Sequence, residues 1–209
     1  MELLTTGITF FQKGGIVMYV LLLCSLFVFS IGIERALYFR RMDSGRAFAR
    51  DFYLALANGK RQQAEKLADD ARGALADILF AVITKKPEAR KNPATYMEVQ
   101  SGIALAKLRK RLYYLSVIVT MAPLLGLLGT ISGMITSFSV FNLESGQATA
   151  ITGGVGEALI ATAMGLCVAI VSLAVHAYFS QRIENIVTDM EQCFSMVETA
   201  DDESKEEAA

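Results

Sequence analysis

Three long apolar stretches dominate the pattern of the chain. They cover residues 16–33, 112–141 and 158–181, and none of them contains Asp, Glu, Lys or Arg. A hydrocarbon core about 30 Å thick takes roughly 20 helical residues to cross, so each stretch can form a transmembrane helix. The pattern predicts an all-α membrane protein with three spans.

The basic residues predict the orientation of these spans. Of the 20 Lys and Arg residues, 16 lie between Arg40 and Arg111, whereas residues 142–156 contain none. Cytoplasmic segments of membrane proteins carry the excess of basic residues, so the chain is expected to run N-out and C-in. The predicted order is an external segment 1–15, span 16–39, a cytoplasmic helical domain 40–111, span 112–141, a short external loop 142–156, span 157–181, and a cytoplasmic C-terminal helix with an acidic tail, 182–209.

Helix-forming residues and breakers divide the cytoplasmic domain. Helices are predicted over residues 44–58, 60–70 and 72–84, with Asn58-Gly59 as one stop. Asn92-Pro93 resembles an N-cap followed by proline at the first helical position. No breaker follows until Pro123, so one continuous helix is predicted from Pro93 to about Phe141, roughly 70 Å long.

Charged residues near the ends of the spans are interpreted as interfacial. Glu34 and Arg35 are expected to extend toward the polar interface from the end of the first span. His176 is expected in the cytoplasmic interfacial belt, with a proton relay as the alternative. The acidic segment from Asp201 to Glu207 is expected to be solvated and disordered.

Composition excludes several function classes. The formal net charge of -1 gives no overall attraction to nucleic acid. Cys24, Cys167 and Cys193 form no metal or redox pattern, and one histidine is too few for a zinc site. The chain has no P-loop, G-x-S-x-G or HExxH motif, so no enzyme activity, cofactor or metal is predicted. The lack of an internal repeat disfavours a repeat-built secondary transporter.

Small and weakly polar residues form one face on each of the last two spans. They recur at helical spacing, and two readings of these faces stay open. The first is close helix packing in lipid. The second is the lining of a narrow aqueous or proton-conducting interior, with a possible bend at Pro123. The two sets are Pro123, Gly126, Thr130, Gly133 and Ser137, and Ala158, Thr162, Gly165, Ala169 and Ser172.

Glu157 is the main ionisable candidate for function. An ionisable group at the edge of an apolar span is costly and is by default a functional candidate. The alternative is an interfacial carboxylate at a helix start, where the helix dipole favours it. Gly153, Gly154 and Gly156 precede it, so the start of this helix is uncertain from sequence.

Two motifs resemble those of the ExbB/TolQ branch of the MotA/TolQ/ExbB family. The sequence APLLGLLGT at residues 122–130 is similar to the signature of its second span. The sequence GEALIATAMGL at residues 156–166 is similar to the signature of its third. With the three-span plan and the basic cytoplasmic domain, the resemblance covers nearly the whole chain.

The resemblance implies a homopentamer in the bacterial inner membrane, whose second and third spans surround a channel. It also implies a single-span partner resembling ExbD or TolR, with an essential membrane aspartate, and a TonB-like protein that receives the motion. Thr130, Thr162 and Glu157 match the channel-lining positions. Pro123, Gly126, Gly133 and Gly165 are expected to serve helix bending and packing.

The chain departs from many relatives after Ala169-Ile170, where Val171-Ser172 replaces a frequent proline, and at His176-Ala177-Tyr178. These departures leave open whether the function is ExbB-like energising of TonB-dependent transport or TolQ-like maintenance of the envelope. A passive scaffold for the partner is the alternative of another class.

Overall fold

A computed structural model of the protein describes residues 15–143 and 148–206. These residues form eight helices, and three apolar helical segments are long enough to cross a membrane, which confirms the predicted all-α fold with three such helices. In chain order the helices are α1 (Gly15–Met42), α2 (Arg46–Ala57), α3 (Arg61–Asp70), α4 (Ala74–Ile83), α5 (Pro87–Arg90), α6 (Pro93–Arg109), α7 (Leu112–Leu143) and α8 (Ala148–Glu206).

The described chain divides into two compact units. The span unit contains the described residues up to Ile33 together with Arg111–Tyr178. The polar unit contains Glu34–Lys110 and the described residues from Phe179 onward. The apolar parts of α1, α7 and α8 therefore lie in the span unit, and helices α2 to α6 lie in the polar unit.

Apolar side chains in the span unit are both buried and exposed. Met18, Leu21 and Val28 of α1 are buried, as are Leu115 of α7 and Ala161 of α8. Other large apolar side chains point outward, and an exposed apolar surface of this extent is expected of helices that meet lipid or another chain. They include Leu22, Leu23, Leu26 and Phe29 of α1, Leu124, Leu127, Leu128 and Ile135 of α7, and Leu159, Leu166, Ile170 and Leu173 of α8.

The core of the polar unit forms around α4 and the C-terminal part of α8. Nearly all of α4 is buried, which explains why a ten-residue apolar helix is stable outside the spans. Along α8 the buried side chains recur at alternating spacings of three and four, so they form one stripe. That stripe consists of Ile183, Ile186, Met190, Cys193 and Val197.

Local signals in the polar unit predicted its helices well. The helices predicted at residues 44–58, 60–70 and 72–84 are confirmed as α2, α3 and α4. The predicted N-cap is also confirmed, because Asn92 Oδ1 accepts a hydrogen bond of 3.2 Å from the backbone N–H of Thr95. Pro93 occupies the first turn of α6, where its missing N–H costs no hydrogen bond.

The prediction of one continuous helix from Pro93 to Phe141 is wrong. Helix α6 ends at Arg109, α7 begins at Leu112, and Arg111 has a φ of 75°. A tertiary contact stabilises this break. The guanidinium of Arg35 donates hydrogen bonds of 3.0 Å to the carbonyl oxygens of Lys107 and Lys110, satisfying groups that the end of a helix leaves unpaired.

Arg35 is therefore not the interfacial residue that the sequence predicted. It is only 3% exposed, and it also forms a bidentate pair with Glu34, with contacts of 2.6 and 2.8 Å. Its guanidinium lies 4.6 Å from the centre of the Tyr38 ring. These hydrogen bonds offset the cost of burying the guanidinium.

Helix α8 is longer at both ends than the sequence predicted. It begins at Ala148, so Gly153, Gly154 and Gly156 lie inside a helix and much of the predicted loop 142–156 is helical. The prediction for the acidic segment is also wrong as far as Glu206, where α8 ends, and Arg61 pairs with Asp201 at 3.2 Å. The predicted external segment, apart from Gly15, and Glu207 lie outside the described residues.

Candidate functional site

The two small-residue faces pack against each other within one chain. A Cβ atom placed on Gly126 would lie 2.9 Å from the carbonyl oxygen of Ala161. One placed on Gly165 would lie 2.6 Å from the carbonyl oxygen of Ala122 and 3.0 Å from Gly126 Cα. These distances are too short for a side chain, so both positions need glycine for α7 and α8 to approach so closely.

The contact continues along both helices. A Cβ on Gly133 would lie 2.9 Å from Ala158 Cβ, and one on Gly129 would lie 2.7 Å from Ala161 Cβ. Gly129 also faces α1, because its added Cβ would lie 3.3 Å from Val17 Cγ1. The packing reading of the small faces therefore describes the contacts inside this chain.

Thr130 and Thr162 meet where α7 and α8 are closest. Their hydroxyl groups form a hydrogen bond with each other. The carbonyl oxygen of Gly126 lies 3.1 Å from each hydroxyl oxygen, and the carbonyl of Ala158 lies 3.4 Å from that of Thr130. Both threonines are half-buried.

The hydrogens of this pair have two arrangements with the same oxygen positions. Each hydroxyl has one hydrogen, so one threonine donates to the other, and the second donates to a carbonyl. Thr130 can donate to Thr162 while Thr162 donates to Gly126, or Thr162 can donate to Thr130 while Thr130 donates to Gly126. Exchange between the two arrangements requires only rotation of the hydroxyl groups.

The two serines of the small faces have structural partners. Ser172 is fully buried and donates to the carbonyl oxygen of Leu115 at 3.0 Å, which links α8 to α7. Ser137 donates to Gly133 of its own helix at 2.8 Å. The bond of Ser172 therefore holds two spans together, whereas the bond of Ser137 stays within α7.

Pro123 and Glu157 lie on the same two helices. Helix α7 continues through Pro123, which cannot donate to the carbonyl of Val119. Glu157 lies nine residues after the first residue of α8, so it is not at a helix start and the helix dipole cannot account for its position. Its side chain is outside the part of the chain that the structure describes.

A separate group of charged side chains lies in the polar unit. Asp43 pairs with Arg182, and Arg46 donates to Asn185 at 2.8 Å. Asp189 lines the same cleft, and burial raises its pKa, with the positive charge of Arg46 opposing the shift and the negative charge of Asp43 adding to it. Asp43 and Arg46 are 139 residues or more from their partners on α8, so no local pattern in the sequence indicated this association.

Comparison with protein families assigns more than half of the chain to a known family. The model of the MotA/TolQ/ExbB proton channel family matches residues 70–192. The chain belongs to this family. The match includes α4, α7 and most of α8, and therefore the contact between Thr130 and Thr162.

Individual relatives within the MotA/TolQ/ExbB family agree with this assignment. A Synechocystis protein named ExbB-like 1 is 34% identical over 170 residues, covering 79% of this chain and 67% of that protein. An ExbB homologue of Methanothermobacter thermautotrophicus is 23% identical over 89% of this chain and 67% of its own length. The Tol-Pal system protein TolQ of Pseudomonas aeruginosa is 34% identical over 39% of this chain and 36% of its own length. Relatives named ExbB-like and a relative named TolQ are thus both similar to this chain.

Proposed function

We propose that this chain is the multi-span channel subunit of a proton-driven motor complex in the bacterial inner membrane, and that Thr130 and Thr162 lie on its proton path. The observation that carries this proposal is the shared acceptor: both hydroxyls lie within hydrogen-bond distance of Gly126 and of each other. Such a pair can accept and donate hydrogen bonds alternately without movement of the helices.

A hydroxyl pair cannot hold the transported proton by itself. Serine and threonine hydroxyls are not ionised at physiological pH, and residues 112–141 and 158–181 contain no Asp or Glu. The proposal therefore needs an ionisable group outside this pair, which we take to be a carboxylate of Glu157 or of another chain. We assign it to a single-span partner resembling ExbD or TolR, with Glu157 tuning the path or the interface.

The assembly proposed is a homopentamer around that partner, running N-out and C-in. The exposed apolar side chains of α7 and α8 suit contacts with lipid, a neighbouring copy or the partner span. In this arrangement, proton flow drives relative motion that a TonB-like protein transmits to outer-membrane transport.

Two alternatives have support of their own. A TolQ-like role in envelope integrity is favoured by the similarity to the Pseudomonas protein. A passive scaffold is favoured by the packing of Gly126 and Gly165, because those contacts would be needed for assembly without any conduction.

Proton flux into liposomes tests the proposal. The full chain, with and without its co-purified single-span partner, is compared as wild type, Thr162→Val, Thr162→Ser and Thr120→Val. Thr120 is a matched control, since it lies on α7 but is exposed and donates only to Val117 of its own helix. We expect flux that needs the partner, falls in Thr162→Val, and persists in Thr162→Ser and Thr120→Val. Intact complexes with no flux, or flux unaffected by Thr162→Val, would favour the scaffold.

Complementation separates the ExbB-like and TolQ-like roles. The gene is introduced, together with that of its single-span partner, into one strain deficient in TonB-dependent uptake and another deficient in envelope integrity. Restored growth on chelated iron supports the ExbB-like role. Restored resistance to detergent, without restored uptake, supports the TolQ-like role.

A further inference from the structure

A groove in the polar unit lies between α6 and the C-terminal part of α8. Its volume is about 320 Å³. Met97 and Met190 are buried at its base, while Leu105, Val187 and Phe194 remain partly exposed on its walls. Methionine is unbranched and flexible, so a floor of this kind adapts to more than one apolar side chain.

The rim of this groove is acidic. Glu98 of α6 and Glu191 and Glu198 of α8 are all exposed, and the described residues that line the groove include no Lys or Arg. Glu191 and Glu198 are seven residues apart, so they lie on the same side of α8, two turns or about 10 Å apart. Apolar walls between like charges distinguish this groove from an ordinary solvated helix face.

We propose that the groove binds a cationic amphipathic helix of a partner protein. One or two apolar side chains would enter between α6 and α8, and Lys or Arg residues two turns apart would pair with Glu191 and Glu198. We choose a cationic occupant because its charge would complement the acidic rim of the groove. Anionic lipid headgroups and nucleic acid would be repelled by the same carboxylates, and helix-in-groove recognition uses this combination of apolar anchors and flanking charge.

This inference goes beyond the proposed function, because it requires only the fold of the polar unit and not proton conduction. The groove is also distinct from the cleft of Asp43 and Arg182, because the two share none of the described lining residues. Loss of binding here and loss of flux at Thr162 can therefore be observed separately.

Binding of a designed probe to the full chain tests the proposal. The probe is a fluorescent alanine-based helical peptide with two lysines two turns apart and two leucines between them on the same face. The chain is held in phosphatidylcholine nanodiscs, and binding is followed by fluorescence anisotropy. Unspecific binding is measured with two controls. One is a peptide of the same composition with its lysines and leucines on opposite faces, and the other is empty nanodiscs.

Charge reversal provides the matched variants. In the double variant Glu191→Lys with Glu198→Lys, we expect affinity to fall about tenfold or more, since both charge pairs become repulsive. In Glu65→Lys with Asp69→Lys, which changes the net charge equally on the exposed surface of α3, affinity should be unchanged. Binding of the ordered probe should also weaken as salt is raised.

Three results would overturn the proposal. One is equal binding of the ordered and rearranged peptides. Another is retained affinity in the folded Glu191→Lys, Glu198→Lys variant, with folding checked by circular dichroism and gel filtration. The third is crosslinking of a photoreactive group at position 194 to a second copy of this chain, which would show that a neighbouring subunit occupies the groove.

Discussion

Thr130 and Thr162, on two different spans, share the carbonyl oxygen of Gly126 as a hydrogen-bond acceptor. Because the acceptor is shared, the contributions of the two hydroxyls to the stability of the helix contact are interdependent. Removing one hydroxyl leaves the other free to donate to Gly126 without competition. The pair therefore links the stability of the helix contact to the chemistry proposed for the channel.

Removal of the two hydroxyls should give non-additive changes in stability. Thr130→Val and Thr162→Val should each lower the free energy of unfolding by about 1 kcal/mol, the scale of hydrogen bonds between spans. The double variant should lose less than the sum, since the single variants both break the same bond. Unfolding of the purified chain by detergent titration measures the cycle. Strict additivity would show that the hydroxyls do not interact.

Substitution of Gly165 tests the close approach of α7 and α8. Gly165→Ala places a methyl group 2.6 Å from the carbonyl oxygen of Ala122, and overpacking of this kind costs about 1 to 3 kcal/mol. Gly102→Ala is the control, because Gly102 lies in α6 with no atom within 4 Å of the added Cβ. That change should be neutral or stabilise by up to about 1 kcal/mol, as alanine favours a helix over glycine. Thermal unfolding measures the stability of both variants, and equal effects would contradict the close contact at Gly165.

The sequence predicted the elements whose causes are local. Apolar length indicated the three spans, and Asn92-Pro93 indicated the start of α6, because an N-cap is a property of a few adjacent residues. The periodic small residues also indicated which faces of α7 and α8 were candidates for close packing or for lining a channel. Their pairing within one chain could not be read from periodicity, since the same face would suit contact with another subunit.

The predictions that were wrong depended on contacts distant in sequence. The break at Lys110 and Arg111 has no local breaker, and it is stabilised by Arg35, more than seventy residues earlier. The sequence near Arg35 resembles the end of a span, so a buried arginine could not be distinguished there from an interfacial one. Glycines near Glu157 suggested a helix end in water, but Gly153, Gly154 and Gly156 lie inside α8, where the helix satisfies the backbone N–H and C=O groups.

Replacement of Arg35 should destabilise the polar unit. Arg35→Met removes the donors to Lys107 and Lys110 and the bidentate pair with Glu34, whose side chain is 35% exposed, so a loss of at most about 3 kcal/mol is expected, the lower limit for breaking a fully buried pair. Arg35→Lys should recover only part of that loss, because one ammonium cannot reproduce the planar fork.

Arg50→Met is the control for Arg35, since the side chain of Arg50 is 73% exposed in its pair with Asp51. Such exposed pairs contribute little, so its unfolding free energy should change by less than about 1 kcal/mol. Proteolysis of the folded chain near the Lys110–Arg111 break gives a second measurement, and Arg35→Met should be cleaved faster there. Equal stability of the Arg35 and Arg50 variants would refute the capping role.

Asp189 should make the stability of the polar unit depend on pH. Burial raises its pKa above the ordinary value of 3.8, so over the range between that value and the folded pKa the native state holds more protons than the unfolded state. The free energy of unfolding contributed by this group therefore falls as the pH rises through that range, and the loss is complete above the folded pKa. Asp189→Asn removes the charge and should be more stable than the wild type at pH 7, with the advantage disappearing toward pH 4 and below. Unfolding of the wild type and the variant across this pH range measures the difference, with Glu65→Gln as the exposed control. A variant that is less stable than the wild type at pH 7, with the deficit disappearing as the pH falls, would mean that attraction to Arg46, and not burial, dominates at this carboxylate.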